Sequence, residues 1–457
     1  MRKIVLFSCI YFGFLHVASA QVNDSIIFKT IADNILLHGT AYSNLEYICK
    51  KIGPRLSGSS QMVKAEQETA RMLREMGADT VYLQEMKVPH WVRGEKETAY
   101  LNMPDGKKRS LNICALGNSV GTGKKGITAM VVEVHSYEEL DALGEKAIKG
   151  KIVYLDVRLN PTYLLTDRAY SEISHFRWNG ASRAAKYGAV AFVIRSLASN
   201  TDDFPHTGGM GYNDSFPKIP ALAVSTRDGD FISATIKNNK DVALFVRNTS
   251  TSLPLATGHN VIAEIRGSGM PDEIITIGGH LDSWDLAEGA QDDGAGCVQS
   301  MELVRVFKKS GIRPKRTIRV VLFTDEENSG AGGIKYAEFA KAENKRHLFA
   351  IESDAGGFVP RGFDFVITKE RLEKLRSWLL LFEPYGIHRM GQGEPGADVD
   401  YLRPMGFTLS QLAPDSQRYF DYHHTAQDSF AAVSKRELEF GAIVMAQLVY
   451  MIDKYGL

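Results

Sequence analysis

The run Glu273-Ile-Ile-Thr-Ile-Gly-Gly279 is apolar and stops at His280-Leu-Asp282. A short apolar segment with polar residues at its end reads as a buried strand, so an imidazole and a carboxylate stand at its carboxyl end. The pattern recurs further along the chain. Residues 317 to 324 end in Asp325-Glu326-Glu327, residues 348 to 353 end in Asp354, and residues 407 to 412 lead towards His423-His424. From Gly258 to the C-terminus strand and helix patterns alternate, which predicts an α/β fold: a mixed, largely parallel sheet with helices on both faces. Ligands of such open sheets bind in the crevice outside the carboxyl ends of the strands. The four clusters are therefore expected to converge on one crevice.

Working outward, Ser434 and Glu437 form a capping box, and Leu438, Ala442, Met445, Val449 and Ile452 follow at helical spacing. This predicts a closing helix that faces the core. Residues 59 to 76 read as a helix ended by Gly77, followed by a strand over 80 to 88. Between Trp91 and Ser252 the pattern changes to a Gly- and strand-rich block. It contains Lys151-Ile-Val-Tyr-Leu-Asp156, the helical Ser182-Arg-Ala-Ala-Lys186 and Gly188-Ala-Val-Ala-Phe-Val-Ile194. This block, residues 92–252, reads as an insertion that divides one domain into 21–91 and 253–457.

The 457 residues carry 54 Lys+Arg against 54 Asp+Glu, and 44% are hydrophobic. That composition supports sizeable cores and excludes a disulfide scaffold, a coiled coil or a disordered chain. Zero net charge argues against a protein built to hold nucleic acid or an anionic membrane. Residues 1–20 read as a signal peptide: Arg2 and Lys3, an apolar run from Ile4 to Val17, then Ala18-Ser19-Ala20. The run is shorter than the ~20 residues a membrane span needs and contains Gly13 and His16. A secreted or periplasmic protein with no stable membrane anchor is expected, cleaved near Ala20. Loss of Cys9 leaves Cys49, Cys114 and Cys297, an odd set that allows at most one bridge. None is expected to be catalytic. Gly121-Thr-Gly-Lys-Lys-Gly126 lacks the spacing of a phosphate loop, and Arg313-Pro-Lys-Arg316 reads as a solvated strand start.

Carboxylates crowded into one crevice repel one another unless cations neutralise them. Mixed with imidazoles they suit zinc. Two metals sharing one carboxylate can activate water and polarise a substrate oxygen. The shared carboxylate needs a tight loop, and Gly289-Ala-Gln-Asp292-Asp293-Gly294-Ala-Gly296 supplies one just before a helix with Cys297, Met301, Val304 and Phe307 on one face. Adjacent residues cannot easily face one metal together, so one member of Glu326-Glu327 is free to act as a general base.

Five pieces in this order, Gly279-His-Leu-Asp-Ser-Trp-Asp285, Asp292-Asp-Gly-Ala-Gly296, Asp325-Glu-Glu327, Glu352-Ser-Asp354 and His423-His-Thr-Ala-Gln-Asp428, resemble the metal-site motifs of the M28 co-catalytic zinc exopeptidases. Gly53-Pro-Arg-Leu-Ser-Gly58, Pro89-His-Trp91, Pro205-His-Thr-Gly208 and Lys218-Ile-Pro220 extend the likeness to a carboxypeptidase branch, whereas Thr425-Ala-Gln-Asp428 is similar to the aminopeptidase branch. The resemblance implies a zinc exopeptidase fold, with the insert forming a protease-associated-like domain that serves as a cap or as an interaction surface. It implies two zinc ions per chain: His280 and Asp354 on one, Glu327 and His424 on the other, Asp292 bridging them. Asp292 rather than Asp293, and His424 rather than His423, follow from motif alignment alone.

By the same resemblance a zinc-bound hydroxide attacks a dipeptide or short peptide with Glu326 as general base. Asp282 orients the His280 imidazole, and Asp398 is a candidate substrate contact. A cis peptide after Asp292 and a homodimer are also implied. Whether the amino or the carboxyl terminus is read stays open. A catalytically silent receptor-like binding protein, a glutaminyl-peptide cyclotransferase and a phosphoesterase are the alternatives. The last requires a Lys or Arg beside the metals, and none lies within the motifs.

Overall fold

The strand Met270–His280 pairs in parallel with Arg316–Phe323 on one side and Arg346–Glu352 on the other, and the latter pairs in parallel with Thr408–Pro414. The computed structural model describes residues 23–103, 105–239 and 241–457, so the leader expected over residues 1–20 lies outside the described residues. Ile274, Ile275, Ile277, Ile318, Val320, Val321, Phe349 and Ile351 fill these central strands and are fully buried. β-branched and aromatic side chains covered on both faces are what a central parallel strand requires. In register, His280 stands opposite Phe323, and Gly278 opposite Glu352. The polar residues that follow each strand therefore emerge at one edge of the sheet.

Flanking strands make the sheet mixed. Thr80–Val92, Thr251–Ile265 and Pro360–Val366 run antiparallel to their inner neighbours, and Arg389–Gln392 closes the far edge parallel to Pro360–Val366. The first of these strands runs four residues beyond the expected end at Val88. Pro89 cannot donate to the ladder, and the pairing with Thr251–Ile265 resumes past it across a register shift between Val88 and His90.

On one face lie the helices Ser60–Glu75, Ala295–Lys309 and Lys435–Tyr455, sharing one core with the sheet. Ser59 accepts the Met62 N–H at 3.1 Å and Ser434 the Glu437 N–H at 3.4 Å, so serine caps open the first and last of these helices. The middle helix is buried all round from Ala295 to Phe307, not only along Cys297, Met301, Val304 and Phe307. Its polar residues are engaged: Ser300 donates to the Gly278 carbonyl at 3.0 Å, Ser353 donates to Gln299 at 2.7 Å, and Glu302 pairs with Arg305. The other face is covered by Ala331–Ala342, whose Tyr336 and Ala340 pack with Val321, Phe323 and Ala350.

Arg319, on a central strand, is fully buried and held by Glu264 at 2.7 Å and Glu343 at 2.6 Å. Burial pulls the Glu343 carboxyl up, but hydrogen bonds from His347 and Arg319 outweigh it and hold the group at about 2. A carboxyl lowered by folding stabilises above its ordinary value near ~4.3 and ceases to do so as pH falls through its folded value. Glu343→Gln is expected to cost about 2 kcal/mol at pH 7 by urea unfolding, and less at pH 3.

Residues 98 to 247 build a second eight-stranded sheet. Ile127–Val134, Ile152–Leu155, Ala191–Arg195 and Ala221–Val224 form its parallel centre, with hydrophobic clusters on its two faces. The helix anticipated from Ser182–Lys186 spans Thr166–Ala185. Before Gly180 only Ala169 and Ile173 are buried, too few to show a core-facing period, and Asp167, Tyr170, Ser174 and Arg177 face a cavity (below). Cys49, Cys114 and Cys297 are buried and unbridged. No helix among the described residues is long and apolar enough to cross a membrane.

Candidate active site

The loop after Trp284 is fixed before any side chain reaches into the crevice. Arg55, fully buried, donates to the carbonyls of Leu281, Glu288 (2.6 Å) and Gly289 (2.8 Å). From the opposite side the Asp428 carboxylate accepts the N–H groups of Ala290 (3.1 Å), Gln291 (2.7 Å) and Asp292 (3.1 Å). Gly289 adopts φ +58°, and a Cβ there would lie 2.2 Å from Ser283 Cβ. The peptide between Asp292 and Asp293 is cis. Arg55 and Asp428 both lie in stretches singled out by the sequence, but their roles depend on backbone carbonyls and amides that a residue pattern does not display.

Held this way, Asp292 and Asp293 point to different partners. Asp293 accepts the His280 N–H at 3.1 Å and the Gly296 N–H at 2.9 Å, which engages its carboxylate with backbone. Asp292 Oδ1 lies 3.1 Å from His280 Nε2, and its Oδ2 lies 3.3 Å from His424 Nε2. On the first side Asp354 Oδ1 is 3.3 Å from His280 Nε2, and on the second Glu327 Oε2 is 3.0 Å from His424 Nε2. His423 Nε2 stands back at 3.8 Å from Asp292, its ring stacked on that of His424 at 3.5 Å. The donor atoms of His280, Asp292 and Asp354 form one compact group, and those of Asp292, His423 and His424 another. Glu327 is not a member of the second of these groups, but its Oε2 lies 3.0 Å from His424 Nε2 on that side of Asp292.

These separations can be tested against a cation. Two nitrogen or oxygen ligands ~2.0–2.1 Å from a tetrahedral metal stand about 3.3 Å apart, close to the spacing in both groups. Asp292 Oδ2 and Glu327 Oε1 are buried without a hydrogen-bond partner. Buried acceptors and buried charge call for a compensating partner, and a metal on each side of Asp292 would provide it.

The protonation equilibria show the same excess of negative charge. Burial pushes the Glu326 carboxyl well up, and the neighbouring Asp354, Glu327 and Asp282 push it further. Burial opposes ionisation of His280, yet Asp354, Asp282 and Asp292 raise its imidazole overall. His280 Nδ1 lies 3.1 Å from the main-chain carbonyl of Asp282 and 3.7 Å from its carboxylate. That carboxylate instead accepts the N–H of Glu326 at 3.2 Å and of Glu327 at 3.4 Å. Asp282 thus joins the strand end carrying His280 to the turn carrying both glutamates. Asp398 is 1% exposed and sits behind the cavity wall, its N–H donating to Glu352 at 3.0 Å; Pro395 and Ala397 are its neighbours that reach the cavity. Its place is beside Glu352, since the short helix Ala397–Asp400 turns its side chain inward.

The cavity over the site measures about 440 Å³. One wall carries Asp292, Glu326, Glu327, Asp354, His423 and His424, and the facing wall is the polar half of the helix Thr166–Ala185. Asp167, Tyr170, Ser174, Arg177 and Trp178 come from that helix. Arg177 is the distant cation that the motifs themselves lack.

Known proteins resemble the chain in sequence and in fold. The sequence profile described as Peptidase family M28 matches residues 260–449. Carboxypeptidase Q of Homo sapiens is 34% identical over 423 residues, 92% of this chain and 87% of that protein. The crystal structure of a peptidase M28 precursor from Shewanella amazonensis SB2B superposes with a TM-score of 0.90 at 32% identity, over 94% of this chain and 96% of that one. A zinc aminopeptidase from Bacillus subtilis shares the fold, with a TM-score of 0.63 at 19% identity over 89% of this chain and 93% of that one. The chain belongs to peptidase family M28 and is a metallo-exopeptidase.

Proposed function

We propose that the chain is an exported dimetal zinc exopeptidase acting on dipeptides or short peptides. The observation that carries this is Asp292, which offers one carboxylate oxygen to the His280 side and the other to the His424 side. His280 and Asp354 would hold one zinc, Glu327 and His424 the other, with Asp292 between them. When bound, the pair supplies Lewis acidity to the scissile carbonyl and a lowered pKa to the attacking water.

The protein's own residues do the rest. Glu326 takes a proton from the water and returns it to the leaving amine, and its backbone N–H anchors it to Asp282. The Asp282 carbonyl fixes the His280 tautomer through Nδ1, leaving Nε2 for the metal. The catalytic domain is then residues 21–91 with 253–457, and 92–252 is a protease-associated-like cap whose helix Thr166–Ala185 closes the cleft against water. Residues 1–20 are read as the leader that exports the chain. A silent receptor-like role is disfavoured because the complete donor set and the free base are all present.

A panel of dipeptides and blocked dipeptides, assayed with and without a chelator, tests this reading. Chelator-sensitive cleavage restored by Zn²⁺ is expected, with activity lost when one terminus is blocked. Cleavage indifferent to chelator, or none from zinc-loaded protein, would overturn it.

A further inference from the structure

Arg177 is the only lysine or arginine lining the catalytic cavity among the described residues. It is half-buried and held by two hydrogen bonds. Its Nη1 donates to Tyr170 Oη at 2.6 Å, its Nε donates to the Gly209 carbonyl at 3.3 Å, and its guanidinium lies 5.5 Å from the Tyr170 ring centre. Gly208, at φ +135°, leaves it room, since a Cβ there would lie 2.4 Å from Arg177 Cζ. No carboxylate among the described residues pairs with it. A guanidinium has five N–H donors, so three remain after these two contacts. They are enough for the two-pronged bond an arginine makes to a carboxylate.

Its position relates this free fork to the reaction. Tyr170 lies 5.0 Å from the His423 ring, which stacks on His424 at 3.5 Å, so Arg177 stands one aromatic ring beyond the His423–His424 pair. The carboxylates Asp292, Glu327 and Asp354 of the same cavity are those proposed to be neutralised by metal. Arg177 has no such partner among the described residues, and a half-buried cation fixed by neutral acceptors calls for an anion from outside.

We propose that Arg177 binds the α-carboxylate of the substrate, so that the enzyme reads the carboxyl terminus of a dipeptide or short peptide. This rests on the metallopeptidase reading above and names the terminus that reading leaves open. It also gives the insert a share in specificity, because the recognising side chain comes from the helix Thr166–Ala185.

The test uses zinc-loaded full-length enzyme on Ala-Leu and on its amide, Ala-Leu-NH2. Wild type is expected to favour the free acid in kcat/KM by about 10- to 100-fold, the range of a charge-assisted hydrogen-bond pair. Arg177→Gln should bring that ratio near unity, chiefly through a higher KM for the free acid. Arg177→Lys keeps the charge but not the fork; it should give an intermediate ratio and carries the test if the glutamine variant does not fold. Chelator-sensitive cleavage with the ratio unchanged in both variants, or a wild type that prefers the amide, would overturn the assignment and leave the metallopeptidase reading standing. No chelator-sensitive cleavage of either substrate by wild type would overturn both.

Discussion

Glu326→Gln is expected to retain two zinc ions per chain and to lose peptide hydrolysis, with kcat lower by about 10²- to 10⁴-fold, the range for removing a general acid–base. The glutamine has the shape of the glutamate and keeps the backbone N–H that bonds to Asp282, so the turn carrying Glu327 stays in place. Glu326 makes no side-chain hydrogen bond to His280 or His424, and neither compact donor group includes it. What the substitution removes is the capacity to accept a proton beside the cavity. Measuring kcat on a dipeptide together with zinc content separates this from loss of metal. Normal turnover in the variant would contradict the assignment of the base.

Asp292→Asn is expected to behave in the opposite way, losing metal first and activity as a consequence. One carboxylate faces both His280 and His424, so its replacement would weaken both proposed positions, whereas His280→Ala would remove a proposed ligand from one side only. The remaining carboxylates then repel one another in a buried site. Stability should fall as well. A ligand bound only by the folded state contributes about 2.7 kcal/mol per site when free ligand is 100-fold above its Kd, and the variant forfeits that increment. Thermal unfolding of wild type should shift upward on zinc addition, and that of Asp292→Asn should shift little. An equal zinc-induced shift in the two proteins would contradict a bridging role.

The four strand ends could be read from sequence because parallel strands buried on both faces are continuous apolar runs, which makes the first polar residues after them conspicuous. His280, Asp325 and Asp354 stand at such ends. The distinction between Asp292 and Asp293 could not be derived from composition. It depends on which carboxylate is taken by the N–H groups of His280 and Gly296, a matter of loop conformation. The same is true of Arg55 and Asp428, which act on backbone atoms. The helix bearing Arg177 was visible only at its alanine-rich end, because residues that line a polar cavity do not repeat with a hydrophobic period. Strand Thr80–Val92 continues past Pro89 for a long-range reason, its pairing with Thr251–Ile265.

The shared-carboxylate arrangement is tested most directly by anomalous diffraction at the zinc absorption edge from crystals of the zinc-loaded protein. The expected map holds two peaks about 3.5–4 Å apart, one beside His280 and Asp354, the other beside Glu327 and His424, with Asp292 touching both. A single peak, or two peaks of which Asp292 touches only one, would contradict it.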